Sequence, residues 1–111
     1  DVNVSLANQA AEALSSYGTC LACPGDVSSS SFNYELVEFA VSKTGSLDVV
    51  LANAGITLFG DFLTYQPDQL NQVMQVNMGG SFFLAQAAAN YFIKQKKSIH
   101  IGTNFISAVP P

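Results

Sequence analysis

The segment of residues 47–56, Leu-Asp-Val-Val-Leu-Ala-Asn-Ala-Gly-Ile, constrains the fold of this chain most strongly. It is a short apolar run that ends in a turn of small residues around Asn53. Such a run is typical of a buried strand in a parallel sheet that is covered on both faces. Ligands of open α/β sheets bind beyond the carboxyl ends of the strands. The segment therefore predicts that residues 53–55 lie at a ligand site.

The three turn residues suit the close approach of a dinucleotide. Ala54 and Gly55 lack bulk, so a ligand can come near the backbone. The side-chain amide of Asn53 can both donate and accept hydrogen bonds. A purely structural turn is the alternative interpretation, and both roles can hold together.

Helices and strands alternate along the chain. Helices are predicted over residues 6–14, 32–44 and 68–94, and strands over residues 19–23, 47–51 and 98–102. Gly18 and Gly45 follow the first two helices as stop signals. Gly79 and Gly80 lie inside the third helix, as either a close packing contact or a weak point. This alternation predicts an α/β fold with a parallel sheet and right-handed crossovers.

Three polar motifs follow one another in the order and at the spacing of a known family. They are Asp26-Val27, Asn53-Ala54-Gly55, and Asn77 within Val-Asn-Met-Gly-Gly. In these motifs the chain resembles the short-chain dehydrogenase/reductase family over essentially its whole length. The resemblance implies a partial Rossmann-like three-layer fold, an incomplete doubly wound domain, that binds NAD or NADP. It also implies hydride transfer between the nicotinamide and an alcohol or ketone substrate.

Two further motifs of that family are absent from the 111 residues. They are the Gly-rich turn of the first strand and the Tyr-x-x-x-Lys pair, in which the tyrosine is the acid or base and the lysine lowers its pKa. Every tyrosine here lacks a lysine four residues later. We therefore expect residues 1–111 to be the central part of a single NAD(P)-binding domain. Such a segment is expected to be inactive by itself.

The resemblance implies a cofactor role for several of these residues. Asp26 and Val27 would form the adenine pocket, and residues 53–55 would line the ribose. Asp1 would end a preceding strand, where a carboxylate binds both ribose hydroxyls of NAD and repels the extra phosphate of NADP. This favours NAD. The alternatives are a turn or helix-cap aspartate at position 26 and an ordinary exposed residue at position 1.

Candidate catalytic residues follow from the same resemblance. Asn77 would hold a water in a proton relay that leads to the lysine. The alternative is a structural asparagine bonded to a neighbouring backbone, since a buried amide must be satisfied. In the simplest alignment Asn104 takes the place of the family's catalytic serine, while Thr103 or, with a slip of one residue, Ser107 could supply a hydroxyl instead.

A function of a different class is also open. The chain could be a catalytically incompetent fragment or degenerate relative that acts as an interaction module. In the family, the helix that here begins at Asp68 and ends at Lys94 commonly packs against its twin across a two-fold axis. A homodimer or homotetramer through this helix is expected. Its apolar contact would come from Phe82, Phe83, Leu84 and Tyr91.

Composition argues against several other classes of function. A net charge of −4 and a pI near 4.5 disfavour a nucleic-acid partner, whose phosphates call for a basic patch. No apolar run approaches the roughly 20 residues that span a bilayer. Only 11% of the residues are charged and 49% are hydrophobic. This balance predicts that other sequence or subunits cover part of the surface.

The two cysteines, Cys20 and Cys23, have the C-x-x-C spacing of redox and zinc sites. On a strand their side chains would point to opposite faces. Zinc takes about four ligands, and the chain offers these two cysteines and His100. We therefore predict core cysteines, no metal, and a reducing, cytoplasmic location. His100 is disfavoured as a catalytic base, because it has no nucleophile or orienting carboxylate at a matching position.

Overall fold

Two strands of the described chain pair in parallel. The computed structural model describes residues 1–96 and 101–103. Strand β1, Val50–Ala52, lies beside β2, Ile101–Thr103, and a long helical segment connects them. Parallel neighbours need such a crossover, because a tight hairpin can only join antiparallel strands. The predicted α/β class with a parallel sheet is confirmed.

Helices α1, Val4–Leu14, and α2, Ser30–Thr44, begin at side-chain caps. Asn3 Oδ1 accepts from a backbone N–H of the first turn of α1 at 3.0 Å, and Ser29 Oγ does the same for α2 at 3.3 Å. Each bond satisfies a donor that has no partner within the helix. Helix α2 ends at Gly45, whose φ of +81° favours glycine. Both predicted helices are confirmed, with slightly earlier starts.

The third predicted helix is present but is not uniform. It consists of α3, Pro67–Met74, a π turn, Gln75–Gly79, and α4, Gly80–Gln95. Gly80 is buried, and a Cβ added there would lie only 2.8 Å from Val27 Cγ2. Of the two interpretations of the glycine pair, close packing therefore describes Gly80.

The core lies between α4 and β1. Ala88 and Phe92 of α4 are fully buried and pack against Val50 of β1. Leu84 and Tyr91 also pack against this cluster. The predicted apolar contact of these two residues with a twin helix stays a prediction, and the phase of α4 turns part of each side chain toward the core.

Strand β1 is covered on one face only. Val50 and Ala52 are buried, whereas Leu51 between them is 57% exposed. Of the described helices, only α4 contacts β1. The prediction that both faces are covered is therefore wrong for the part of the chain that the structure describes.

Residues 19–23 do not form the predicted strand. A strand needs a neighbour that completes its hydrogen bonds, and the described sheet consists of β1 and β2. The end of this segment is tied to the start of the chain instead, since Gly25 N–H donates to the Asp1 carbonyl at 3.0 Å. Residues 98–100 of the last predicted strand lie outside the described residues.

Candidate functional site

Residues 53–56 follow β1 as an irregular segment without the predicted turn, and the side chain of Asn77 holds the end of this segment. Ile56 N–H donates to Asn77 Oδ1 at 2.8 Å, and Asn77 Nδ2 donates to the Ile56 carbonyl at 2.9 Å. One amide thus pairs with both backbone groups of Ile56, as a neighbouring strand would. This is the bonding expected of a structural asparagine. A side-chain amide has two donors and two acceptor positions, so each polar atom keeps the capacity for one more bond.

Asn77 reaches this segment from within the π turn Gln75–Gly79. A π turn interrupts the regular i→i−4 bonding of a helix, and Ser81 Oγ donates to the Asn77 carbonyl at 2.9 Å. Gly55 lies against the same side chain, since an added Cβ would be 3.4 Å from Asn77 Oδ1. Two motifs that lie far apart in sequence, around Gly55 and Asn77, are therefore in contact.

Val27, Asn53 and Ala54 line one cavity of about 160 Å³. Gly80 and Ser81 of α4 contribute to the same wall. The lining is mostly apolar, and the Asn53 amide and the Ser81 hydroxyl are its hydrogen-bonding side chains. Three of the predicted cofactor residues are thus brought together around one space.

Asp26 shapes the turn in which it lies. Its Oδ1 accepts from Ser28 N–H at 2.9 Å, and Ser29 N–H donates to the Asp26 carbonyl at 3.1 Å. Hydrogen bonds from the Ser28 backbone and side chain lower the pKa of this carboxyl below its usual 3.8, because they favour the charged form. The side chain is exposed. The turn interpretation is therefore seen in the geometry, while the carboxylate faces solvent as an anion.

Asp1 lies beside this turn. The Gly25 N–H to Asp1 carbonyl bond joins the two segments, and Asp1 Oδ1 accepts from Asn3 N–H at 2.7 Å. Asp1 is exposed, as is Asp26. The two predicted acidic cofactor residues therefore belong to adjoining segments of one surface.

The candidates for the place of the family's serine follow β2. Thr103 ends β2 and pairs with Ala52 of β1. It therefore lies at the same sheet edge as Asn53, the next residue after Ala52. Asn104, Ser107 and His100 lie outside the described residues, so the choice among Thr103, Asn104 and Ser107 stays open.

Two residues of this region are missed by the sequence patterns. Asn33 of α2 is fully buried behind the turn of Asp26. Its signal is its place one helical turn before the buried Val37, on an apolar face where an amide needs partners. The signal for Ser81 is its place four residues after Asn77, from which a helical hydroxyl reaches the carbonyl.

Other kinds of site find less support in the described chain. Cys20 and Cys23 are free thiols and half-buried. Within residues 1–96 and 101–103, the His, Cys, Asp and Glu side chains form no group that could hold a metal ion. None of the helices in these ranges is both long and apolar enough to span a membrane.

A parallel strand pair with a helical crossover, and a segment of small residues beyond β1, define a Rossmann-like α/β protein. The sequence pattern of the family described as short chain dehydrogenase matches residues 1–103. The chain belongs to the short-chain dehydrogenase/reductase family.

Two relatives illustrate the range of the family. The L-rhamnose-1-dehydrogenase of Scheffersomyces stipitis is 41% identical over 90 residues, which cover 80% of this chain and 35% of that protein. The (S)-acetoin-forming diacetyl reductase of Staphylococcus epidermidis is 42% identical over 76 residues, which cover 68% of this chain and 30% of that protein. The chain thus spans about a third of the length of these relatives.

Solved structures agree with the fold. A 3-ketoacyl-ACP reductase from Sinorhizobium meliloti superposes with a TM-score of 0.80 at 27% identity, over 92% of this chain and 40% of that one. A short-chain type dehydrogenase/reductase from Mycobacterium marinum has a TM-score of 0.88 at 22% identity, over 98% of this chain and 47% of that one. The second likeness, at this low identity, shows the fold alone.

Proposed function

We propose that this chain is the central part of an NAD(P)-dependent oxidoreductase that transfers hydride between the nicotinamide and an alcohol or ketone. The observation that carries the proposal is the cavity where Val27, Asn53 and Ala54 meet α4. It lies beside the segment after β1 that Asn77 holds through Ile56. We also propose a cytoplasmic location, in keeping with the free thiols of Cys20 and Cys23.

The residues present fit a dinucleotide. Gly80 brings no side chain into the cavity wall, and Ala54 adds only a methyl group. The exposed carboxylates of Asp1 and Asp26 can accept hydrogen bonds from ribose hydroxyls and from an adenine amino group. The Asn53 amide can pair with a ribose. When bound, the cofactor supplies the carbon that gives or takes hydride.

The protein's part in this proposal is placement. Val27 makes apolar contact with the adenine ring, and Asp26 accepts from its amino group. Asp1 accepts from the ribose hydroxyls and repels an added phosphate, which favours NAD over NADP. Residues 53–55 line the ribose, and Gly55 lets the backbone lie against the Asn77 side chain.

Proton transfer would use the hydrogen-bonding positions of the Asn77 side-chain amide that Ile56 leaves open. This amide already fixes Ile56 through two bonds, and its remaining donor and acceptor positions can hold a water. Thr103, or one of the residues after it, would donate a hydrogen bond to the substrate oxygen. The tyrosine and lysine that complete the relay in the family have no counterpart in these 111 residues.

A binding titration tests the proposal directly. The protein at its natural length is titrated with NADH and with NADPH while cofactor fluorescence is followed. Micromolar binding of NADH, with weaker binding of NADPH, is expected. The variant Asp1→Asn should reduce the difference between the affinities for NADH and NADPH. A folded protein that binds neither cofactor would overturn the proposal. L-rhamnose and diacetyl, named in two relatives, are the first substrates to assay.

An interaction role is a second candidate, favoured by the exposed face of α3, the π turn and α4. Four apolar side chains there, at four-residue spacing, are between 44% and 61% exposed: Leu70, Met74, Met78 and Phe82. We propose that they form the contact of a homodimer or homotetramer. Phe82→Asp should lower the mass seen by sedimentation, whereas Tyr17→Asp, a control far more exposed at 88%, should not. An unchanged mass for Phe82→Asp would argue against this contact.

A further inference from the structure

Asn33 is the fully buried polar side chain of the described chain. Its Nδ2 donates to the Val27 carbonyl at 2.7 Å and to the Ser29 carbonyl at 2.8 Å. Its Oδ1 is buried without a hydrogen-bond partner. An unpaired buried acceptor lowers stability, and an apolar side chain of similar size would avoid that loss. The two donated bonds therefore have to account for an amide at this position.

The two hydrogen bonds donated by Asn33 connect it to different parts of the chain. Ser29 lies four residues before Asn33, so the bond to its carbonyl stays within the first turn of α2. The bond to Val27 crosses the N-cap of the helix and holds the turn that contains Asp26. Only the second bond therefore fixes how this turn sits on the rest of the protein.

Val27 is held from two sides. Asn33 holds its carbonyl, and Gly80 of α4 allows its side chain to approach so closely that an added Cβ would clash at 2.8 Å. Between these contacts Val27 lines the cavity, whereas Asn33 does not. The direct path from Asn33 to the cavity therefore runs through Val27.

We propose that Asn33 is a positioning residue for the adenine end of the cofactor site. This inference rests on the proposed function, because it assigns the cavity at Val27 to adenine. Asn33 holds the carbonyl of Val27, and with it the apolar wall of the cavity and the neighbouring Asp26 carboxylate. Its loss should weaken recognition of the adenine half and spare the nicotinamide half.

Two Asn33 variants and one control test this inference in the protein at its natural length. In Asn33→Thr the hydroxyl can still bond the carbonyl four residues back, that of Ser29, but cannot replace the bond to Val27. Asn33→Leu removes both bonds. Val37→Ala is the matched control, because Val37 is 6% exposed on the same face of α2 and has no bond to the turn. Affinities are measured for AMP, reduced nicotinamide mononucleotide and NADH.

Both Asn33 variants should bind AMP and NADH about tenfold more weakly, the effect of losing roughly one buried hydrogen bond. Their affinity for reduced nicotinamide mononucleotide should be unchanged, and Val37→Ala should bind all three probes like the unaltered protein. Unchanged AMP binding by Asn33→Thr, or an equal loss in Val37→Ala, would overturn the inference. Failure of both Asn33 variants to fold would assign Asn33 to folding and overturn it too. If the unaltered protein binds no dinucleotide, the proposed function itself falls.

Discussion

At the scale of single residues, Asn77 extends the bonding of the sheet beyond the strand. Ile56 lies past the last residue of β1, yet both of its backbone groups have partners in the Asn77 amide. The segment after β1 gains rigidity in this way without a further strand. Its geometry at Ile56 thus depends on one side chain.

Replacing Asn77 should therefore affect stability and catalysis together. Asn77→Ala removes two partly buried hydrogen bonds, so the free energy of unfolding should fall by about 2 kcal/mol. Under the proposed function turnover should fall as well, because the segment of residues 53–56 is released at Ile56. Chemical denaturation and initial-rate assays measure the two effects. Asn71→Ala, at an exposed position on α3, should change neither; an Asn77 variant as stable as the unaltered protein would contradict this account.

Asp26 should make stability depend on acid. The hydrogen bonds from Ser28 lower the pKa of the Asp26 carboxyl in the folded state. The carboxylate therefore stabilises the fold fully at pH values above the pKa that this group has in the unfolded chain. This stabilisation is lost as pH falls through the lowered folded pKa. Asp26→Asn should therefore be slightly less stable than the unaltered protein at neutral pH, and the gap should close below the usual value of 3.8. Denaturation curves across this range measure it, and a gap that widens in acid would refute the assignment.

At the scale of elements, the two adjacent glycines at the start of α4 should behave differently. Gly80→Ala places a Cβ 2.8 Å from Val27 Cγ2, and such overpacking costs about 1–3 kcal/mol. Gly79→Ala is the matched control, since its Cβ would meet Phe83 at an ordinary 3.7 Å. Alanine should stabilise that position by up to about 1 kcal/mol. Thermal unfolding of both variants checks the contrast, and equal effects would contradict the packing described for Gly80.

Local signals in the sequence predict the helices well. Ser29 begins α2 because its hydroxyl oxygen accepts a hydrogen bond from the first turn. Gly45 ends α2 because glycine readily adopts the left-handed φ found there. The π turn has no such signal, because one extra residue leaves no mark in the mixture of apolar and amide side chains at this point of the helix. The phase of α4 is hidden for the same reason. Hence the orientation of Leu84 and Tyr91 is not predictable from residue spacing across the whole segment.

The site is predictable to the same degree. The residue types around Asn53 and Asn77 point to a turn and a buried amide, and their family resemblance puts them on one site. The hydrogen bond that joins the two motifs, from Ile56 N–H to Asn77 Oδ1, depends on tertiary structure. So does the bond from Asn33 to the Val27 carbonyl. The strand predicted over residues 19–23 fails for a related reason, because strands are defined by neighbours rather than by their own sequence.

At the scale of the whole molecule, the described surface is unusually apolar. Val49, Leu51, Phe62 and Leu63 are all more than half exposed. We predict that the 111-residue chain alone self-associates, because an apolar sheet face and edge invite contact with other chains. Sedimentation of the purified chain over a range of concentrations measures this. A compact monomer at all concentrations would contradict it.

The pairing of β1 with β2 also sets an order of events during folding. Val50 meets Ile101, so the two strands are separated by the loop, α3, the π turn and α4. Contacts between such distant residues form slowly, since the chain must first lose the entropy of closing the intervening loop. On a ribosome, β1 emerges long before its partner is synthesised. We expect α4 to dock on Val50 first, and the ladder between the strands to be among the last features to form.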